Sequence, residues 1–185
     1  MQRCIIKILL KNSICLLADK LQVIIIENLF KLIMYMRSLL VVVLLCSLGN
    51  VYAQSMQQRQ KNFNLENGLA IQGYDPVSYF TGNPVEGEKA YAFQYQGVVY
   101  YFKNATNLEL FKKSPTNYEP QYGGWCAYAM GAKGEKVEVD PETFKIIDKK
   151  LYLFYNKYFN NTLKSWNKDE VKLKSKADAN WSKFK

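Results

Sequence analysis

Alternating apolar and polar residues in the middle of the chain predict two β-hairpins. Residues 90–95 alternate as a half-buried strand does, Gln96-Gly97 supplies a turn, and residues 98–102 form a second apolar run. The same arrangement recurs in residues 145–155, where Asp148-Lys149 separates two apolar runs. Each pair of runs is short and closely spaced, so each is expected to fold back on itself as an antiparallel hairpin.

Helical spacing of apolar residues predicts helices beside these hairpins. One helix spans residues 104–113, with Phe111 in its buried stripe and Pro115 after its end. Two more are predicted at residues 157–166 and 168–180. The predicted fold class is therefore α+β, a small antiparallel sheet of two hairpins packed with three to four helices.

A different apolar pattern near the N-terminus predicts a secretory signal peptide over residues 36–53. Met36-Arg37 supplies a positive start, Leu39–Leu48 an apolar stretch of ten residues, and Val51-Tyr52-Ala53 a cleavage site. The apolar stretch is shorter than the about 20 residues needed to span a bilayer. The mature chain is therefore expected to be exported, to the periplasm or the extracellular space, and to keep no stable membrane span.

Residues 1–35 precede this signal and alternate apolar patches with lysines. A signal peptide has little chain before its positive start. One hypothesis is therefore that translation begins at Met36 or Met34 and that the upstream stretch is not native. The other is a genuine membrane-associated leader, and N-terminal sequencing of the natural precursor distinguishes the two.

The chain after the cleavage site has the length of one small domain. We expect a flexible polar lead-in over residues 54–66 and a single domain over 67–185, with an ordered loop at 122–134 and a strand at 137–139. Without residues 1–53, which hold six Lys/Arg and two Asp/Glu, the net charge falls from +9 to +5. An exported chain of that charge, without a readout motif, is not expected to bind nucleic acid.

A group of motifs between residues 73 and 118 resembles a known family. In chain order its members are Asp75-Pro76-Val77, Tyr101-Phe102, Phe111, Pro115 and Tyr118. This order and spacing resembles the YHS domain, a small module often credited with binding soft metals. The segments around Trp125 and Trp181 look like a longer exported branch of single-domain YHS proteins. The resemblance implies a scaffold for that branch, and it assigns no reaction.

The metal-associated form of that family carries cysteines at three positions that this chain fills with Ser78, Lys103 and Asn107. A closed site for a soft metal needs three or four thiolate or imidazole ligands. Lysine brings a positive charge, asparagine is a weak ligand, and the chain contains no histidine. These degenerate positions predict that the thiolate cluster has been lost, and the cofactor, if the protein has one, is unknown.

Cys126 is the remaining candidate for chemistry, because the other three cysteines precede residue 54. It is a soft metal ligand, with Met130 four residues on if the segment is helical, or a redox-active or cross-linking thiol, or a buried small hydrophobe. Nucleophilic catalysis is disfavoured, since no histidine can act as its base. All three interpretations remain open.

Asp75 also has two interpretations. It can cap a short helix in which Pro76 takes the first position, or its carboxylate can line a cleft. The capping role is sufficient to explain an aspartate there, so the functional role is a hypothesis beside it.

These patterns predict a binding or accessory module with an unknown small ligand, metal or protein partner. The predicted site is a cleft between the Asp75 helix and the Trp125-Cys126 loop. Its predicted lining residues are Tyr74, Asp75, Trp125, Cys126 and Tyr128. The alternatives are a thiol-dependent redox or enzymatic protein centred on Cys126, and a protein-interaction module without a small-molecule site.

Overall fold

The computed structural model describes residues 28–42 and 55–184, and the chain divides into two compact units, Met1–Tyr52 and Ala53–Lys185. In the first unit, residues 28–42 form a helix, α1. The predicted cleavage site and most of the predicted upstream leader lie outside the described residues. No helix in the described ranges is long and apolar enough to cross a membrane.

The second unit begins with a helix, α2, over residues 55–62. The predicted lead-in over residues 54–66 therefore contains a regular helix, and its flexibility stays a prediction. The Arg59 guanidinium donates a hydrogen bond to the carboxylate of Glu119, and the Gln60 side chain donates to the carbonyl of Gly97 at 2.8 Å. These contacts to distant parts of the chain hold a polar segment that has little apolar surface of its own.

The first sheet has four strands, which lie side by side in the order Leu65–Glu66, Leu69–Ala70, Val98–Phe102 and Glu88–Tyr95. Its strands are β1 (Leu65–Glu66), β2 (Leu69–Ala70), β3 (Glu88–Tyr95) and β4 (Val98–Phe102). The predicted hairpin is the β3–β4 pair, which turns at Gln96-Gly97. In contrast to the expected all-antiparallel sheet, β2 pairs with β4 in parallel, because the chain crosses between them through the loop that contains Asp75.

Helix α3 (Ala105–Lys113) packs on this sheet, and the short helix α4 (Pro115–Tyr118) follows it. The Asn104 side chain caps α3 by accepting a hydrogen bond from the backbone N–H of Asn107 at 2.9 Å. Phe111 is fully buried, and its ring centroid lies 4.8 Å from that of Tyr100 on β4. The predicted helix, its start and its buried residue are therefore confirmed.

The second predicted hairpin forms a separate two-stranded sheet from β5 (Asp140–Ile147) and β6 (Lys150–Phe154), turning at Asp148-Lys149. The predicted ordered loop contains a short helix, α5 (Ala127–Ala132). The strand expected at 137–139 does not form. The Val137 carbonyl instead accepts a hydrogen bond from the backbone N–H of Cys126 at 2.9 Å, which ties this segment to the start of α5.

Residues 157–166, predicted as one helix, divide into a hairpin and a helix. The hairpin pairs β7 (Asn156–Lys157) with β8 (Asn160–Asn161), and the helix is α6 (Thr162–Trp166). Tyr158 and Phe159 have left-handed backbone angles, φ 52° and 61°, which a helix cannot contain. The final helix, α7 (Glu170–Trp181), confirms the last predicted segment.

Two clusters of buried residues form the core of the second unit. The first surrounds Phe111, between α3 and the four-stranded sheet, and it includes Cys126 and Leu151. The second surrounds Trp166 and includes Met130, between α5, α7 and the second sheet. The arrangement is α+β, as predicted.

Candidate functional site

A cleft of about 390 Å³ lies between helix α5 and the β7–β8 hairpin. Its lining is mainly apolar and comes from three separate segments: α5 and the residue before it, the stretch that precedes β5, and the residues on either side of the hairpin. The residues that line it are Cys126, Tyr128, Ala129, Ala132, Lys133, Glu135, Val137, Tyr155, Asn160 and Thr162.

The thiol of Cys126 is buried at the floor of this cleft. The backbone N–H of Tyr155 donates to its Sγ at 3.3 Å, and Thr162 Oγ1 lies 3.4 Å from the same sulfur. The Thr162 hydroxyl also donates to the Tyr155 carbonyl at 2.9 Å, so these two residues form a fixed frame around the sulfur. The thiol is therefore held in place as well as buried.

Exposed charged groups of both signs lie on the segments that form the cleft. Lys133 Nζ lies 4.0 Å from Glu135 Oε2, and both side chains are exposed. Lys157 Nζ, on the neighbouring hairpin, lies 3.9 Å from Glu138 Oε2. An apolar wall beneath a polar rim is the usual construction of a small-molecule site.

Asp75 lies outside this cleft, in a buried hydrogen-bond network. Its Oδ1 accepts from the backbone N–H of Val77 at 2.8 Å. Its Oδ2 accepts from the backbone N–H of Lys103 at 2.9 Å and from the side-chain amide of Asn107 at 2.6 Å. Asp75 therefore fixes the turn before the short 3-10 helix Ser78–Thr81, close to the capping role expected for it, and its carboxylate is fully buried.

The three positions singled out as degenerate cysteine sites meet at this one aspartate. Lys103 and Asn107 donate to its carboxylate, and the Ser78 hydroxyl donates to its backbone carbonyl at 2.7 Å. Serine, amide and backbone groups form the network, and it contains no sulfur. In this network, N–H donors stabilise the buried carboxylate of Asp75.

Cys126 immediately precedes helix α5 and Met130 lies on it, four residues on as in the metal hypothesis, and the backbone N–H of Met130 donates to the Cys126 carbonyl at 3.0 Å. Their side chains, however, pack into different core clusters. Within the residues that the structure describes, no group of three or more His, Cys, Asp or Glu side chains is arranged to hold a metal ion. A site built on Cys126 and Met130 stays a prediction.

Of the five predicted lining residues, the cleft brings together Cys126 and Tyr128. Tyr74 donates from its hydroxyl to Glu142 Oε1 at 3.1 Å, and Trp125 donates from its indole N–H to the Asn62 carbonyl at 2.6 Å. Together with Asp75, they occupy other parts of the surface and core.

Sequence reasoning missed the residues that complete the cleft, above all Val137, Tyr155 and Thr162. Tyr155 ends the second apolar run of the predicted hairpin, and Thr162 is the first residue of α6, so each has a structural explanation in the sequence. No local pattern relates them to Cys126. They meet only because the β7–β8 hairpin turns the chain back toward α5.

A second cluster that the sequence did not reveal joins Arg59, Tyr100 and Glu119. The Tyr100 hydroxyl donates to Glu119 Oε1 at 2.6 Å, and the Arg59 guanidinium pairs with the same oxygen. Burial, followed by the charge and hydrogen bond of Glu119, raises the pKa of Tyr100 well above its ordinary value. The cluster attaches α2 to the first sheet and is explained by that structural role.

Comparisons with models of protein families, with curated proteins and with solved structures found no match to this chain.

Proposed function

We propose that this protein is an exported, YHS-like binding or accessory protein that holds a small, mainly apolar ligand in the cleft above Cys126. The observation that carries the proposal is that cleft: about 390 Å³, walled by apolar side chains, with a fixed thiol at its floor. Export rests on the predicted signal peptide, and the family on the motif resemblance.

The size and chemistry of the cleft favour a small organic molecule. Ligand pockets typically measure about 300–1,000 Å³ and combine apolar walls with a few placed polar groups. At about 390 Å³ this cleft is near the lower end of that range. Tyr128 and Tyr155 offer aromatic surface, while the exposed side chains of Asn160 and Glu135 offer polar contacts.

The donor set favours such a ligand over a metal ion. Cys126 is the one soft donor among the residues that line the cleft, and the carboxylate and amide side chains in the lining, Glu135 and Asn160, are hard donors. A closed soft-metal site needs several thiolate or imidazole ligands. Uptake of copper(I) by the thiol is the metal arm of the test below.

The test uses an anilinonaphthalene sulfonate probe, whose fluorescence rises in apolar pockets, with the purified protein. Ala132→Trp places a large side chain at the cleft, where Ala132 is exposed and its replacement does not disturb the core. Ala179→Trp makes the same change at an exposed position on α7 that does not line the cleft.

We expect saturable probe binding that Ala132→Trp weakens about tenfold or more and that Ala179→Trp leaves unchanged, since a filled cleft loses most of its contact surface. Equal binding by all three proteins refutes the proposed site. Stoichiometric copper(I) uptake that is lost in Cys126→Ser would instead assign the thiol to a metal.

A thiol-dependent activity is the second candidate, because the Tyr155 N–H is directed at the sulfur and the sulfur borders a cleft. Alkylation by iodoacetamide, followed by intact mass, measures its access. Modification of the native protein at the rate of a free thiol supports this candidate. Modification only after unfolding makes Cys126 a structural residue of the binding site, and a protein-interaction module then becomes the alternative to ligand binding.

A further inference from the structure

The tip of the β7–β8 hairpin exposes two aromatic side chains to solvent. Tyr158 is 90 % exposed and Phe159 is 110 % exposed, more than any other large hydrophobic residue reported for the described part of the chain. A lone exposed apolar residue is ordinary on a protein surface. Two adjacent rings at the end of a projecting hairpin form a compact apolar knob.

The backbone of this tip is of a kind that aromatic residues rarely adopt. Both residues are left-handed, with φ 52° and 61°, the arrangement of a two-residue turn that favours Asn-Gly. The turns Asn67-Gly68 and Gln96-Gly97 in the same protein have glycine at the second position. The rings of Tyr158 and Phe159 are almost fully exposed, so they contribute little to packing within the fold and are available for a contact outside it.

A complementary hollow lies immediately beside the knob. Asn160, the residue after Phe159, lines the Cys126 cleft, and so does Tyr155 at the base of the hairpin. An apolar projection and an apolar cleft therefore lie next to each other. Two copies related by a two-fold axis can each insert a knob into the cleft of the other, which gives a closed, self-complementary interface.

We propose that this protein forms a two-fold dimer in which the Tyr158-Phe159 knob of each copy occupies the Cys126 cleft of its partner. The occupant is a second copy because the surroundings of the knob are charge-balanced. Lys133 is near Glu135, and Lys157 is near Glu138. A surface with both signs can pair with itself across a two-fold axis, whereas it offers no net attraction to an anionic lipid or an acidic partner.

The size of the contact predicts a weak dimer. Each buried aromatic side chain removes about 150–250 Å² from water, so four rings contribute about 600–1,000 Å². Specific interfaces bury about 1,200–2,000 Å² in total, and smaller ones are transient. The dimer therefore forms at high concentration and dissociates on dilution. Because a ligand and a partner's knob occupy the same cleft, they compete, but the dimer does not depend on the proposed ligand.

The experiment is sedimentation equilibrium of the purified protein over a concentration series. The knob variant is Tyr158→Asn with Phe159→Gly, which removes both rings and leaves a sequence that suits the turn. Ala132→Trp, with Lys133→Trp as an independent second choice at the exposed rim, obstructs the cleft. Circular dichroism verifies the fold of each variant.

We expect the native protein to dimerise and the dimer dissociation constant of each variant to be about tenfold higher or more. Each variant loses both knob-in-cleft contacts, which form the centre of the interface. An equimolar mixture of knob and cleft variants regains part of the association, because a mixed dimer forms one of the two contacts, with the knob of the cleft variant in the open cleft of the knob variant. That recovery is specific to a knob-in-cleft contact.

Three outcomes overturn the proposal. One is a native protein that stays monomeric over the whole series, and another is a knob variant that dimerises as tightly as the native protein. The third is binding of the monomer to neutral phosphatidylcholine vesicles, measured by co-sedimentation, that is absent in the knob variant. That result would show that the two rings contact a bilayer. Probe binding by a monomeric knob variant shows separately whether the proposed ligand site stands.

Discussion

Replacing Asp75 with alanine removes one acceptor group from three N–H donors, those of Val77, Lys103 and Asn107. An unsatisfied buried donor costs about 1–3 kcal/mol. The Asn107 side chain can turn toward water, but the two backbone donors cannot move independently of the fold. We therefore expect Asp75→Ala to lower the free energy of unfolding by about 3–5 kcal/mol, a large part of the about 5–15 kcal/mol available to a small domain.

The matched control is Asp140, which begins the chain's other Asp-Pro pair. Its carboxylate also accepts three hydrogen bonds, from the backbone of Glu142, the hydroxyl of Thr143 and the amide of Asn156. Asp140 is only partly buried, so water can replace the lost acceptor. We expect Asp140→Ala to cost about 1 kcal/mol, the net value of ordinary hydrogen bonds.

Urea unfolding followed by tryptophan fluorescence measures both changes. Asp75→Asn adds an intermediate case. Its side-chain oxygen can still accept hydrogen bonds from Lys103 and Asn107, but its side-chain NH2 group would face the backbone N–H of Val77, which is also a donor. We expect a cost of about 2 kcal/mol for it. Equal losses for Asp75→Ala and Asp140→Ala would show that burial does not set the cost, and the reasoning would be refuted.

Two further predictions concern packing and pH. A Cβ at Gly131 would lie 2.5 Å from the carbonyl oxygen of Leu173, so Gly131→Ala should lower the thermal midpoint of unfolding. This steric effect outweighs the preference of alanine over glycine in a helix, which is about 1 kcal/mol. A higher midpoint would contradict the close approach of the two helices. Burial, together with nearby carboxylates, raises the pKa of Tyr152 to about 12. An unfolded tyrosine ionises at about pH 10. The stability that the raised pKa contributes is therefore complete below that pH and is lost as the pH rises toward 12. Urea unfolding at a series of pH values should show a smaller loss in Tyr152→Phe than in the native protein.

Local patterns predicted much of the secondary structure. Gln96-Gly97 and Asp148-Lys149 mark the turns of both main hairpins, and Asn104 caps the predicted helix. The third hairpin was missed because Tyr158-Phe159 carries none of the glycine or asparagine that marks a tight turn. Its aromatic residues instead extended the apolar pattern of the following helix, so a helix was predicted from residue 157.

The candidate site was predictable only in part. Cys126 and Tyr128 lie two residues apart, and both line the cleft. Trp125 adjoins Cys126 in the sequence, and Tyr74 and Asp75 belong to the helix expected on the other side of the cleft, but the fold directs each of these three to a different partner. Sequence separation gives no information on such grouping, because side chains of one site need share only a surface.

The sequence by itself determined the α+β class, the two main hairpins and the residue types at positions 78, 103 and 107, which lack sulfur and imidazole. Those features depend on residue type and on spacing over a few positions, which act locally through backbone preference and hydrogen-bonding capacity. Only the tertiary structure decided that the three positions meet at Asp75, that the Cys126 thiol faces Tyr155 and Thr162, and that an aromatic knob stands beside that cleft. Each of these is a contact between distant segments, and such contacts are fixed by how the whole chain buries its apolar surface.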